Sequence, residues 1–162
     1  KLEELGARVD KMIFDVKSAT KIIKRLKIPK KYLANLEFLE DGKIKQDKLI
    51  PLDEFVKKLS KKERLKLIDK ILKFLLKMWK YGIHENTYKF FSNLGIYKNN
   101  IVFIDIFEIT SNKNKILKQI KKQRWAKYEK YQKYLSDSEI DYLMRKTNET
   151  FTEENLNKYW KK

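Results

Sequence analysis

The sequence of 162 residues contains no cysteine, one histidine, two prolines and four glycines. The lack of cysteine excludes disulfides, thiolate metal sites and cysteine nucleophiles. A single histidine argues against a zinc site built on histidine ligands. No apolar run approaches the length of about 18 residues that a membrane-spanning helix needs, and no signal peptide is recognisable. We therefore expect a soluble, cytoplasmic protein without a membrane span.

Positive charge and aromatic side chains are both abundant. The 39 lysines and arginines outnumber the 22 aspartates and glutamates, which gives a net charge of +17, and 13% of the residues are aromatic. The aromatic content is typical of a folded chain, and a chain of this size can bury about 70% of its unfolded surface. The charge has two interpretations. It is either a surface for polyanions or a compositional bias, since arginine, the better group for specific phosphate contacts, occurs only five times.

Helical patterns dominate after the first fifty or so residues. Ser60 and Glu63 have the spacing of a capping box, which predicts a helix over Lys61–Tyr81. Five of its lysines form one narrow polar stripe, and apolar residues cover most of the remaining circumference, so we expect this helix in the middle of the fold. The lysines of the stripe are Lys66, Lys70, Lys73, Lys77 and Lys80.

The remaining segments complete an α+β, predominantly helical fold. Before the central helix the pattern predicts a strand at Met12–Val16, a helix at Ser18–Leu26 and a strand at Tyr32–Leu39 that ends in a turn at Asp41–Gly42. After it, we predict one long helix over Asn114–Leu135 and two shorter helices, which Ser136 and Thr152 would cap. The aromatic residues of the long helix interleave with lysines, which is typical of core beside a solvated face and also of a strip for single-stranded nucleic acid.

The segment from Trp79 to Thr110 is the most informative part of the chain. The long helix ends there in a polar loop, and two short apolar strands, Leu94–Ile96 and Ile101–Ile104, follow as a hairpin. Asp105 comes directly after the second strand. The loop carries the polar residues His84, Glu85, Asn86 and Asn93.

This order of helix, loop with asparagine, hairpin and aspartate resembles the catalytic segment of protein-kinase-like phosphotransferases in an atypical, minimal or pseudokinase form. In that family the asparagine and the aspartate hold Mg²⁺ against the nucleotide phosphates. The resemblance implies that Asn93 and Asp105 bind ATP and Mg²⁺. It also implies that residues 1–45 are a remnant of the N-lobe and hinge, and that residues 46–162 form a compact, helical, kinase-like C-lobe with a hairpin at about 94–105.

The chain departs from the family pattern H-x-D-x-x-x-x-N at the catalytic base. Tyr88 stands five residues before Asn93 where the family has aspartate, and His84 lies nine residues before Asn93 instead of seven. The resemblance leaves Glu85 and His84 as candidate catalytic residues, and Lys89 as a candidate contact for the γ-phosphate. Neither a Gly-rich phosphate loop nor a V-A-I-K-type lysine is recognisable. We therefore expect slow or absent phosphate transfer to an unknown protein or small-molecule acceptor.

Each candidate residue also has a purely structural interpretation. Asp105 could cap the turn that follows it, Asn93 could bond its own backbone, His84 could be a satisfied loop histidine, and Glu108 could pair with a lysine. Two other functional classes stay open for the chain as a whole. One is a basic helical module that binds nucleic acid electrostatically, and the other is a helical protein-interaction domain.

Overall fold

The computed structural model describes residues 16–40 and 43–161, and these residues confirm the predicted α+β, mainly helical class. The helices are α1 (residues 16–26), α2 (Leu52–Phe55), α3 (Lys61–Trp79), α4 (Phe90–Asn93), α5 (Lys113–Lys121), α6 (Asp137–Thr150) and α7 (Glu153–Tyr159). The strands are β1 (Glu37–Phe38), β2 (Ile44–Lys45), β3 (Ile50–Pro51), β4 (His84–Glu85), β5 (Leu94–Tyr97), β6 (Asn100–Phe103) and β7 (Ile109–Thr110).

Helix α3 is the central element, as its sequence pattern predicted. It begins at the expected capping box: the Glu63 N–H donates to Ser60 Oγ at 3.4 Å, and the Ser60 N–H donates to Glu63 Oε2 at 2.7 Å. The five stripe lysines are exposed, and most of the apolar side chains between them are buried. The helix contacts α6, α7, β4 and β6, so its apolar circumference has neighbours on several sides.

The expected hairpin is confirmed, with strands β5 and β6 paired antiparallel and β3 added on the other side of β5. Its turn residues Lys98 and Asn99 both have positive φ, 46° and 62°. That geometry matches the right-handed twist of the two strands. Gly95 is needed where β5 meets β3, because a Cβ there would lie 2.6 Å from Leu49 and 2.9 Å from the Ile50 carbonyl oxygen.

The two-stranded sheet of β4 and β7 positions the loop between α3 and the hairpin. In it, His84 pairs with Thr110 and Glu85 pairs with Ile109, in antiparallel register. The pairing brings the start of the polar loop next to the chain that follows Asp105. The Asn86 N–H continues this contact, donating to the Glu108 carbonyl oxygen at 2.8 Å.

The prediction of one helix over Asn114–Leu135 is wrong beyond its first third. Helix α5 ends at Lys121, and Gln123 has a positive φ of 43°. The chain leaves the helix because Trp125 turns inward: it is only 2% exposed, and its indole N–H donates to Asn148 Oδ1 at 2.9 Å. Tertiary burial of the indole overrides the local helical spacing.

The end of α5 at Lys121 also bears on the two interpretations of the predicted aromatic and basic strip. Trp125 and Tyr131 are buried in the core, so they offer no surface on which bases could stack. Tyr128 and Tyr134 are partly exposed. The interpretation as core beside a solvated face therefore fits most of the strip.

The C-terminal helices begin as predicted. Ser136 and Glu139 form the second capping box, and Thr152 caps α7 by accepting the Asn155 N–H at 3.0 Å. Glu139 is also fully buried and pairs with Arg64, from Nε to Oε1, at 2.7 Å. The pair joins the first turn of α3 to the first turn of α6.

At the N-terminal end, α1 contains the predicted helix Ser18–Leu26. The predicted strand Tyr32–Leu39 is shorter than expected, because Tyr32 lies in a 3₁₀ turn and only Glu37–Phe38 pairs with β2. The predicted turn at Asp41–Gly42, and the strand at Met12–Val16 except for its last residue, lie outside the described residues. The division at residue 45 stays a prediction.

Candidate functional site

The backbone brings Asn93 and Asp105 together. Asn93 is the last residue of α4, and its carbonyl oxygen accepts hydrogen bonds from the N–H groups of Ile104, at 2.9 Å, and Asp105, at 3.3 Å. The antiparallel pairing of β5 with β6 places the start of one strand opposite the end of the other. The two residues that the resemblance assigned to Mg²⁺ therefore stand side by side at one end of the hairpin.

The side chain of Asn93 is buried and holds three neighbours. Its amide nitrogen Nδ2 donates to Glu85 Oε1 at 2.9 Å, to Thr87 Oγ1 at 3.0 Å and to Glu108 Oε2 at 2.6 Å. An amide nitrogen carries two hydrogens, so at least one is shared between acceptors. None of these three bonds uses the carbonyl oxygen Oδ1, which is the atom that a metal ion would take. The nitrogen anchors the loop and fixes the direction of the oxygen.

Thr87 links the same two carboxylates. Its N–H and hydroxyl both lie near Glu85 Oε1, at 3.0 and 2.6 Å, and the hydroxyl oxygen is 3.1 Å from Glu108 Oε2. Lys89 closes the network with an ion pair to Glu108 Oε1 at 2.9 Å. We name this group, Glu85, Thr87, Lys89, Asn93 and Glu108, the loop network.

The pKa values of the two carboxyl groups in the loop network, Glu85 and Glu108, are shifted in opposite directions. Burial raises the pKa of Glu85, against the opposing hydrogen bonds from Thr87 and Asn93. Partial burial acts in the same sense on Glu108, but the Lys89 ammonium and the Asn93 amide outweigh it and hold the pKa of Glu108 below its ordinary value. Within the described part of the chain, Glu85 Oε2 is buried without a hydrogen-bond partner. A neutral Glu85 beside an ionised Glu108 suits these surroundings.

His84 is fully buried and sits in a chain of hydrogen bonds. The Trp79 indole N–H donates to its Nδ1 at 2.9 Å, and its Nε2 lies 3.0 Å from the Tyr88 hydroxyl. Burial lowers the pKa of His84 to about 3, so the ring is neutral at physiological pH. Because Nδ1 accepts from Trp79, the proton is on Nε2 and is donated to Tyr88, whose hydroxyl is 3.4 Å from Gln119 Oε1.

Asp105 is partly exposed at the end of the hairpin. Its Oδ1 accepts the Phe107 N–H at 2.8 Å, the pattern of an aspartate that closes its own turn. This bond leaves the second carboxylate oxygen outside the turn. Turn closure and ligand binding are therefore compatible at this residue.

The structure thus separates the five candidate residues into two groups. Asn93 and Asp105 lie together, and Lys89, with half of its side chain exposed, is linked to Asn93 through Glu108. His84 and Glu85 are fully buried, so neither side chain touches solvent in this conformation. The contacts of these two favour a positioning role. Their participation in a reaction stays a prediction.

Several residues of the site were not predicted from the sequence. Thr87 connects the two carboxylates, Gln119 of α5 donates to the Asn86 side chain at 2.8 Å, and Lys130 donates to the Thr87 carbonyl oxygen at 2.6 Å. The polar run of Glu85, Asn86 and Thr87 after an apolar helix was the sequence feature that could have indicated Thr87. No sequence feature indicated Gln119 or Lys130, since each lies more than thirty residues from its partner in the loop.

The donor set fits Mg²⁺ better than a transition metal. Mg²⁺ is commonly held by one or two oxygen ligands of the protein together with the phosphates of a nucleotide, and Asn93 Oδ1 and the Asp105 carboxylate are oxygen ligands. Within residues 16–40 and 43–161, no three histidine, cysteine, aspartate or glutamate side chains are arranged to hold a metal ion by themselves. Phosphate oxygens would have to supply the rest of the coordination.

Comparisons with known proteins do not assign this chain to a family. No family model, no curated protein and no solved structure matches the chain. Among the described residues, no helix has the length and apolar character required to cross a membrane.

Proposed function

We propose that this chain is a kinase-like domain that binds ATP with Mg²⁺ through Asn93 and Asp105, and that it transfers phosphate slowly or not at all. The observation that carries the proposal is the pair of hydrogen bonds from Ile104 and Asp105 to the Asn93 carbonyl oxygen. These bonds hold the two residues next to each other, which supports the proposal of a shared ligand. The order of helix, loop, hairpin and aspartate supports the same assignment.

The arrangement of side chains suits binding of a nucleotide. Asn93 Oδ1 and the Asp105 carboxylate are the groups that would hold Mg²⁺, and the Lys89 ammonium, half-exposed beside them, would contact a phosphate. Bound ATP with Mg²⁺ supplies a transferable phosphoryl group and neutralises its charge. The loop network keeps the Asn93 amide from rotating, so the metal-binding oxygen is held in place before a ligand arrives.

Slow turnover follows from the state of the candidate bases. A general base has to come within hydrogen-bond distance of the proton that it removes. His84 is enclosed by Trp79 and Tyr88, and Glu85 by Thr87 and Asn93. Neither can meet an acceptor hydroxyl without opening the loop. Binding without efficient transfer is the behaviour of a pseudokinase.

A thermal-shift titration with ATP, with and without Mg²⁺, tests this proposal. A ligand that binds only the folded state at 100 times its Kd stabilises the protein by about 2.7 kcal/mol. We expect a Mg²⁺-dependent rise in melting temperature that Asp105→Asn removes. Asp141→Asn is the matched control, because it makes the same substitution at an exposed aspartate on α6. A rise that is equal with and without Mg²⁺, or one that Asp105→Asn retains in full, contradicts the proposal.

A second candidate function, electrostatic binding of nucleic acid, is favoured by one observation. A groove beside α1 is lined by three cations and two hydroxyls, and none of the described residues that line it is acidic: Ser18, Lys21, Ile22, Lys24, Arg25 and Ser111. Such a surface attracts phosphates without base specificity. Binding of single-stranded DNA that weakens steeply with salt, falls in Lys21→Gln/Lys24→Gln, and is unchanged in Asp105→Asn would support it. Binding that is equal in the double variant would exclude this groove.

A further inference from the structure

A cavity of about 360 Å³ adjoins the loop network and is lined in part by Lys89, which belongs to both. Phe91 and Tyr134 form an aromatic wall, with ring centroids 4.8 Å apart. Lys89, Lys130 and Lys133 also line the cavity, as does the Ser92 hydroxyl, which is 3.5 Å from the hydroxyl of Tyr134. Among the described residues that line it, Glu129 alone is acidic. The cavity therefore combines an apolar wall with an excess of positive charge.

Lys130 is the least exposed of the three lysines that line the cavity. This side chain is partly buried and donates to the Thr87 carbonyl oxygen at 2.6 Å. Burial lowers the pKa of Lys130; Glu85 opposes that change, while the like charges of Lys127, Arg124 and Lys89 add to it. Cations that repel one another at a partly desolvated position are stabilised together when an anion binds.

Donor groups remain for such an anion. An ammonium group has three N–H donors, and the structure uses one of Lys130 on Thr87 and one of Lys89 on Glu108. The Lys133 ammonium lies over the Tyr134 ring, 4.7 Å from its centroid. An anion beside Lys133 would thus be directly next to an aromatic face.

We propose that this cavity binds a phosphate monoester, with the phosphate on Lys130 and Lys133 and the organic group against Tyr134. The size of the cavity suits an aryl phosphate or the phosphate end of a nucleotide. Both carry a dianionic phosphate next to a planar ring, which can pack on an aromatic side chain. The cavity shares Lys89 with the site proposed at Asn93 and Asp105. Its phosphate contacts, Lys130 and Lys133, are different residues, so the proposal does not depend on nucleotide binding at Asn93 and Asp105.

Isothermal titration with phenyl phosphate, in buffer without phosphate or sulfate, tests the site. We expect saturable binding by the wild type and an affinity about tenfold weaker in Lys130→Gln, because a charge-assisted hydrogen bond is lost. The glutamine amide of this variant keeps an N–H donor for the Thr87 carbonyl oxygen. Lys133 is exposed, so Lys133→Gln should leave the fold intact and should also weaken binding. Lys66→Gln, which alters an exposed lysine of the α3 stripe with the same change in net charge, should bind as the wild type does.

The same titration with AMP and with inorganic phosphate identifies the source of the phosphate. Tighter binding of phenyl phosphate than of AMP would indicate a phosphorylated aromatic side chain, and the reverse order a nucleotide. No saturable binding of any of the three, or equal weakening in Lys66→Gln and Lys133→Gln, overturns the proposal.

Asp105→Asn separates the two sites. Phenyl phosphate binding should be unchanged in Asp105→Asn whether or not ATP with Mg²⁺ stabilises the wild type. Loss of phenyl phosphate binding in that variant would contradict an independent site.

Discussion

The Asn93 amide nitrogen lies 2.6 Å from Glu108 Oε2, fifteen residues further along the chain. The same nitrogen lies 2.9 Å from Glu85 Oε1, so one neutral amide lies between the neutral carboxyl group of Glu85 and the carboxylate of Glu108. A buried carboxyl needs hydrogen bonds to stay in the interior, and this amide supplies them to both. The loop before the hairpin therefore depends on Asn93 for its conformation, whatever ligand it binds.

Replacing Asn93 should destabilise the fold. Asn93→Ala removes one of the donors on each carboxyl group and leaves only Thr87 between Glu85 and Glu108, which costs about 1–3 kcal/mol. Asn93→Asp should cost more at pH 7.5, because a third carboxyl then faces Glu85 and Glu108. Urea unfolding of both variants measures the order. Equal stability of the two variants at pH 7.5 would show that the amide does not separate the two carboxyl groups as described.

His84 should make stability depend on pH, and it is the only histidine in the chain. Its pKa in the folded state is about 3, far below the ordinary value of 6.5, so its contribution is complete above pH 6.5. As the pH falls from 6.5 towards 3, the unfolded chain takes up a proton that the folded chain refuses. Stability then falls by at most on the order of 1.4 kcal/mol per pH unit.

The measurement is the difference in free energy of unfolding between wild type and His84→Gln from pH 7.5 to 4.5. Glutamine does not titrate, so we expect the wild type to lose its advantage over the variant as the pH falls. A difference that is constant over this range would mean that His84 takes up its proton at the same pH in the folded and the unfolded chain, which contradicts the lowered pKa.

Glu85 should change the stability with pH in the opposite direction to His84. Its raised pKa means that the folded chain keeps a proton that the unfolded chain releases as the pH rises above about 4.5. The contribution of Glu85 is thus complete at low pH and decreases as the pH rises. Glu85→Gln removes this loss, so the variant should gain on the wild type between pH 4.5 and 7.5. A gain in the other direction would show that Glu85 is ionised and stabilised where it is.

The Arg64–Glu139 pair should contribute more than a fully exposed pair, because Glu139 is buried, although a quarter of the Arg64 side chain is exposed. Arg64→Ala leaves the Glu139 carboxylate with its bonds to Ser136, and the loss of the charge-assisted hydrogen bond costs about 1.5–3 kcal/mol. Arg145→Ala is the matched control, because it breaks an exposed pair with Glu149 on α6. Denaturant unfolding at pH 7.5 should show a clear loss for Arg64→Ala and little change for Arg145→Ala. Similar losses would contradict the assigned role of burial.

The parts of the fold that local pattern controls could be predicted from the sequence. Both capping boxes, at Ser60 and Ser136, depend on a spacing of three residues, and the lysine stripe of α3 depends on the helical period. The hairpin followed from two apolar runs around a turn. Each of these features is determined within about twenty consecutive residues, so no knowledge of distant partners was required.

The break after Lys121 could not be predicted in this way. Trp125 and Tyr131 have spacings that suit a helix, and their inward turn is stabilised by distant partners: Asn148 accepts from the indole, and the Tyr131 hydroxyl donates to the Tyr88 carbonyl oxygen at 3.0 Å. The candidate site could likewise be predicted only in part. Its residues were visible as a polar loop, but their burial was not, because Glu85 and His84 are enclosed by side chains from three separate segments.

The most direct test of the central claim, that Asn93 and Asp105 form one site for ATP with Mg²⁺, is isothermal titration of the wild type and Asp105→Asn with ATP at fixed Mg²⁺ or with EDTA. The asparagine side chain of this variant can still accept the Phe107 N–H, so the turn is preserved while one negative charge is removed. We expect saturable binding by the wild type that is tighter with Mg²⁺ than with EDTA, and an affinity with Mg²⁺ that is at least about tenfold weaker in the variant. Equal affinity of the two proteins, or equal affinity in Mg²⁺ and EDTA, would contradict the claim.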